Sequence, residues 1–153
     1  MMERPYPDGM DCVWLATDRD GHLGAFVTAG IGPIPVQALH TDQMPVEDIE
    51  EQVWKLPRVS GARLLITVVR PDDFVAFAER GLFVYDWSDV HRIAREWIHA
   101  YELMAAPVCP ITRDALPGEL SSSLGGLIRL DQVTFAECLL LDVHAHESCR
   151  GGE

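Results

Sequence analysis

The chain has 153 residues, room for one ordinary domain and too little for two. Apolar residues make up 48% and charged residues 24%, a globular balance that excludes wholesale disorder. Acids outnumber bases 24 to 12, for a formal charge of −12. That excludes a general binder of nucleic acid or of anionic membranes, since both need a basic face.

The first residues, Met1, Met2, Glu3 and Arg4, lead into no apolar run, so no signal peptide is expected. The longest apolar runs, residues 64–69 and 138–141, are too short to span a bilayer. The expectation is a soluble, cytoplasmic protein. Four cysteines, Cys12, Cys109, Cys138 and Cys149, are widely spaced without a C-x-x-C pair, which disfavours a zinc ribbon or a thioredoxin-like site. Cys12 and Cys138 sit among apolar residues and read as small buried hydrophobes.

Residues 11–29 predict a β-hairpin. Cys12 to Thr17 is rich in strand formers, and Asp18, Arg19, Asp20 and Gly21 form the turn. Residues 30–35 hold two glycines and two prolines, so they leave the sheet as a fixed loop. Residues 44–56 predict a helix, with Pro45 in the first helical position and an apolar stripe of Val46, Ile49, Val53 and Leu56. The apolar run over residues 62–69 predicts a strand covered on both faces. A short helix follows over 71–80 and stops at Gly81, and a strand follows over 82–87. Residues 88–100 fit a helical stripe and a strand alternation equally; a turn near 88–96 and a strand over 98–106 are favoured. Residues 107–116 read as loop, 117–124 as a short helix, and 127–143 as a final hairpin turning at Asp131 and Gln132. The sum is an α+β protein: an antiparallel or mixed sheet of about six strands, with two or three helices packed on one face. One domain spans 1–153, with flexible ends at 1–10 and 147–153.

No complete catalytic or cofactor motif is present, so no catalytic, cofactor or metal residue is assigned. Several partial constellations each have a plain structural role as well. Asp142, His144 and His146 would share one face of an extended strand, with Cys149 as a fourth metal ligand. A polar tail leaving a strand whose solvent face happens to hold two histidines is the better reading. Asp18, Asp20 and Gly21 have a calcium-loop flavour, but no late Glu completes it and a hairpin turn is the better reading. Gly30, Gly32 and Pro33 follow a strand as phosphate loops do, yet no third Gly or Lys follows, and the prolines remove amide donors. Ser88, Asp89 and His91 could be written as nucleophile, orienter and base, but sequence neighbours rarely meet in triad geometry. Tyr85 and Trp87 instead read as alternate residues on one strand face, with Ser88 or Asp89 capping the next turn. The four tryptophans, Trp14, Trp54, Trp87 and Trp97, occupy core-like positions.

The run from Trp14 to Pro35 joins a tryptophan strand, an Asp-Gly turn, a phenylalanine strand and a Gly-x-Gly-Pro-x-Pro exit. It resembles the opening of a group of small bacterial proteins loosely associated with the immunity partners of toxins. Residues 85–92 and 101–107 resemble later blocks of the same group. The lack of a complete catalytic or cofactor motif and the acidic charge point to a non-catalytic binding protein, and the resemblance implies a toxin, here a basic one that the acidic charge would complement, as its partner. It implies no catalytic residues. The alternative expectation is a small-molecule binder or enzyme with a pocket beside residues 30–35 and 86–91.

Overall fold

The computed structural model describes residues 5–7, 9–30, 32–39, 44–65, 72–88, 100–118 and 128–141. Seven strands form one open mixed sheet: β1 (Val13–Asp18), β2 (Leu23–Val27), β3 (Ala62–Leu64), β4 (Phe83–Ser88), β5 (Ala100–Pro107), β6 (Ile128–Leu130) and β7 (Leu140–Leu141). Their order is β3-β5-β4-β2-β1-β6, and β7 also pairs with β5. Among the described residues two helices, α1 (Val46–Trp54) and α2 (Asp72–Glu79), complete an α+β fold. Among the described residues no helix is long and apolar enough to cross a membrane.

The first hairpin forms as its residues predict. β1 and β2 pair antiparallel, and Gly21 takes a φ of +82° in the turn. That left-handed backbone is strained for any residue with a Cβ. β1 then pairs parallel with β6, while β2 pairs parallel with β4. Because β1 and β2 run in opposite directions, the carboxyl ends of these two parallel pairs lie at opposite ends of the sheet.

Strand alternation sorts the side chains. One face carries Trp14, Phe26, Tyr85 and Tyr101, brought alongside one another by the β1–β2, β2–β4 and β4–β5 registers. Trp14 stacks on Phe26 at 4.3 Å between centroids, and Phe26 stacks on Tyr85 at 4.8 Å. Phe135 closes over Phe26 edge-on at 5.8 Å. All five rings are fully buried. Such offset and edge-to-face pairs add roughly 0.5–1.5 kcal/mol each beyond area burial. The opposite face carries Val13, Val27 and Asp86, and takes the helices: α1 packs on β1, and α2 on β3, β4 and β5.

The two helices meet at Arg80. Its guanidinium lies 4.9 Å from the Trp54 ring centroid, and it donates to the carbonyls of Ala76 (2.9 Å) and Trp54 (3.3 Å). One buried cation thus satisfies carbonyls at the negative ends of both helices. Burial, and then the nearby Arg58, draw its pKa below the usual guanidinium range.

Three expectations need correction. Pro45 stands just before α1 as its cap residue, with φ −56° and ψ 136°, rather than inside the first turn. Of the predicted 62–69 strand, Ala62–Leu64 forms a strand at a sheet edge with Leu64 and Leu65 exposed, so its described part is not covered on both faces; residues 66–69 lie outside the described residues. An edge position leaves one side of the ladder open, which the apolar run alone does not reveal. The final hairpin does not exist: β6 joins β1 at one edge of the sheet and β7 joins β5 towards the other. The chain between them crosses the aromatic face through a 3₁₀ turn, Phe135–Glu137. The predicted turn over 88–96 and the body of the predicted helix over 117–124 lie outside the described residues.

That crossing is tied down at both ends. Asp18 is buried, and its Oδ1 accepts the backbone N–H of Asp20 (2.9 Å) and of His22 (3.0 Å). Its Oδ2 accepts the N–H of Phe135 at 2.9 Å. Farther along, the Tyr85 hydroxyl shares its one proton between the carbonyl of Cys138, at 2.6 Å, and the more distant carbonyl of Phe135, at 3.2 Å. Burial holds the Tyr85 phenol well above its usual pKa, so it remains a donor at any working pH. Asp18→Asn places an amide N–H₂ where one carboxylate oxygen now accepts, opposing donor to donor or costing an acceptor at the turn. It is expected to cost about 2–3 kcal/mol in urea unfolding, and Tyr85→Phe about 1–2 kcal/mol. Unchanged midpoints would show that neither tie holds the crossing.

Candidate functional site

The structure places the sequence-derived candidates one by one. At the hairpin turn, ligand atoms of Asp18, Asp20 and His22 lie within 4.8 Å of one another. The Asp18 oxygens are already committed to three backbone amides, and Arg19, Arg113 and Arg129 line the same cleft. Positive charge beside a carboxylate spent on its own turn favours the hairpin role over calcium.

The loop of residues 30–35 is pressed onto the aromatic face. Gly30 has φ +87° and the preceding Ala29 has φ 55°. A Cβ on Gly32 would come within 2.7 Å of the Tyr101 hydroxyl and 2.8 Å of the Trp87 side chain. The two glycine amides and the Gly32 and Pro33 carbonyls are taken up by bonds within the protein. Gly32 N–H donates to the Thr28 carbonyl (2.8 Å), and Gly30 N–H donates to Thr28 Oγ1 (3.3 Å). Tyr101 donates to the Pro33 carbonyl at 2.8 Å and accepts from Trp14 Nε1 at 3.1 Å, while Tyr6 donates to the Gly32 carbonyl. These glycines therefore serve close packing and left-handed backbone, and their amides are not turned toward a phosphate.

Tyr85 and Trp87 do share one face of β4, and Trp87 packs edge-on against Tyr101 at 5.3 Å. Asp89 and His91 lie outside the described residues, as do Asp142, His144, His146 and Cys149. Cys12, Cys109 and Cys138 are free thiols, buried, exposed and half-buried respectively. Of the tryptophans, Trp14 and Trp87 are buried and Trp54 is half-buried; Trp97 lies outside the described residues.

A charged cleft forms where the sequence singled out only one member. At the carboxyl ends of β2 and β4, a cleft of about 140 Å³ is lined by Asp11, Glu50, Asp73 and Asp86, with Phe74 and Phe77 among its apolar walls. Each acid comes from a different element. Asp11 precedes β1, and its Oδ1 accepts the Ala29 N–H at 2.9 Å, bracing the positive-φ residue at the end of the hairpin. Asp86 sits on β4 opposite Val27. Glu50 projects from α1 and accepts from Trp54 Nε1 at 3.2 Å. Asp73 lies in the first turn of α2, where the helix dipole favours an anion. Phe77 is buried against Trp54, 4.7 Å between centroids, and forms a rigid wall.

No lysine, arginine or histidine lines this cleft among the described residues, and no serine or cysteine does so. What it presents is concentrated negative charge beside apolar surface. The field is felt nearby: burial first, and then Glu47, Asp11 and Glu50, push the Cys12 thiol up to about 11. Only Asp86 fell within a segment flagged from the sequence. Asp11, Glu50 and Asp73 are ordinary surface acids in the linear chain, and only their convergence distinguishes them.

The Cys12 shift has a stability consequence. A thiol at about 11 when folded and 9.0 when unfolded lets the unfolded chain lose its proton first. Stability from this group is whole below about pH 9 and is lost as pH rises toward about 11. Cys12→Ala is expected to flatten the fall in urea midpoint across that window; an identical fall in the variant would assign it elsewhere. Compared with known proteins, the chain matches no family model, no curated protein and no solved structure.

Proposed function

We propose that this protein is a non-catalytic bacterial binding protein, acting in the cytoplasm, whose acidic cleft receives basic side chains of a protein partner. An immunity role against a basic toxin is the form of that reading which the opening motif implies. The observation that carries it is the convergence of four carboxylates in a cleft walled partly by phenylalanine, which no base lines among the described residues. An arginine suits such a place. Its guanidinium meets carboxylates bidentately, and its planar face lies well against an aromatic wall. The charge of −12 supports the same partner, because long-range attraction speeds encounter and like charge turns away acidic competitors.

The test uses a short arginine-rich peptide as probe, followed by calorimetry and by amide shifts at about 0.02 M and about 0.2 M salt. Binding is expected to weaken with salt and to move resonances of Asp11, Glu50, Phe74 and Asp86. Glu50→Gln with Asp73→Asn is expected to lower affinity about fivefold to tenfold, the sum of two partly exposed charge contacts. A matched pair of neutralised acids far from the cleft, Glu137→Gln with Asp114→Asn, serves as the control. Equal losses in both double variants would reduce the attraction to bulk charge and overturn the assignment of the cleft.

A further inference from the structure

We propose that the cleft at the other end of the sheet is a second ligand site, one that takes a phosphate monoester bearing hydroxyl groups, such as a phosphorylated sugar. This cleft measures about 330 Å³ and is lined by Arg19, Arg113 and Arg129 together with Thr17, Asp18, Asp20 and Asp131. It lies at the carboxyl ends of the parallel pair β1 and β6, the position at which open sheets with parallel strands commonly hold ligands. Its volume falls within the range of small-molecule sites, roughly 300–1,000 Å³.

Three of the chain's 12 basic residues meet here, in a protein with 24 acids. They come from three separate segments. Arg19 stands in the β1–β2 turn, Arg129 on the edge strand β6, and Arg113 opens a 3₁₀ turn, Arg113–Ala115. That 3₁₀ turn is held beside the hairpin by the Thr112–His22 bridge and by the Leu23 N–H donating to the Ile111 carbonyl at 3.2 Å. Arg19 and Arg129 are exposed and form no ion pair among the described residues.

Both oxygens of Asp18 already accept backbone N–H groups, so its carboxylate is fixed in place and leaves its charge, but no mobile side chain, in the cleft. The turn amides are spent too, on Asp18 Oδ1 and on the Asp18 carbonyl. Recognition therefore falls to the side chains. Guanidinium groups converging from separate segments match the oxygens of a phosphate, which they bind in a forked, charge-assisted geometry. Asp20 and Asp131 are exposed acceptors on the same cleft. They accept from hydroxyl donors, and they repel a ligand carrying a second anion where its body should lie. The two clefts share no lining residue, so either can fail without the other.

The test is an amide and arginine Nε–H titration with ribose 5-phosphate, inorganic phosphate and ribose at constant ionic strength. The sugar phosphate is expected to give saturable shifts at Arg19, Gly21 and Arg129. Inorganic phosphate should bind more weakly, and ribose should give none. Arg19→Gln with Arg129→Gln, two exposed positions outside the core, is expected to lose affinity by at least about tenfold while the spectrum elsewhere is unchanged. Shifts that never saturate, that sodium chloride reproduces, or that survive the double substitution overturn the site. Inorganic phosphate binding as tightly as the sugar phosphate overturns the assignment of Asp20 and Asp131 to hydroxyl groups.

Discussion

The buried carboxylate of Asp18 is the constraint on which the rest of the structure depends. One side chain closes the first hairpin locally, through Asp20 and His22, and also captures Phe135 from the far part of the chain. A carboxylate can be buried only when its oxygens find donors, and three backbone amides meet that need. Phe135 is thereby delivered onto Phe26 and Tyr85, where its ring completes the aromatic layer. From that anchor the chain has β6 behind it on one edge of the sheet and β7 ahead of it on β5. A polar contact thus sets the path, and burial of the ring supplies most of the energy that holds it.

The same hairpin sets the two ends of the molecule apart. Parallel partners added to each arm of an antiparallel pair must point their carboxyl ends in opposite directions. One end gathers Asp11, Glu50, Asp73 and Asp86 around apolar walls; the other sets Arg19, Arg113 and Arg129 beside Asp18, Asp20 and Asp131. The length of the strands separates the two ends by more than the screening length of about 8 Å at physiological salt, so each end acts on its own ligand with little influence from the other. An acidic protein can in this way offer a cationic partner one surface and an anionic small molecule another.

Between these ends the interior is closed by polar groups used structurally. Tyr85 and Tyr101 each spend a hydroxyl on loop carbonyls, and burial keeps both phenols protonated. Arg80 joins the carboxyl ends of the two helices while lying over Trp54. None of these groups faces either cleft, so the residues with strongly perturbed environments belong to the scaffold. The clefts themselves are built from side chains that protrude from it, which leaves them open to substitution without loss of the core.

Much of the fold was legible along the chain because local physics decides it. The Asp-Gly turn and its flanking strands, the amphipathic stripe of α1, and the stop of α2 at Gly81 all answer to neighbours a few residues away. So did the shared face of Tyr85 and Trp87, since alternation needs only a strand. The end of the chain misled for the same reason: two short apolar runs around Asp131 and Gln132 satisfy every local rule for a hairpin, yet partners lying far away in sequence claimed each of them. Leu64 and Leu65 showed the same limit, because an apolar run does not state whether its strand lies at the centre or the edge of a sheet. The sequence by itself determined the elements and the sign of the net charge. Only the tertiary structure decided which acids and which arginines stand together, because charge has no periodicity to betray its neighbours and segments far apart in the chain become adjacent only when the sheet assembles.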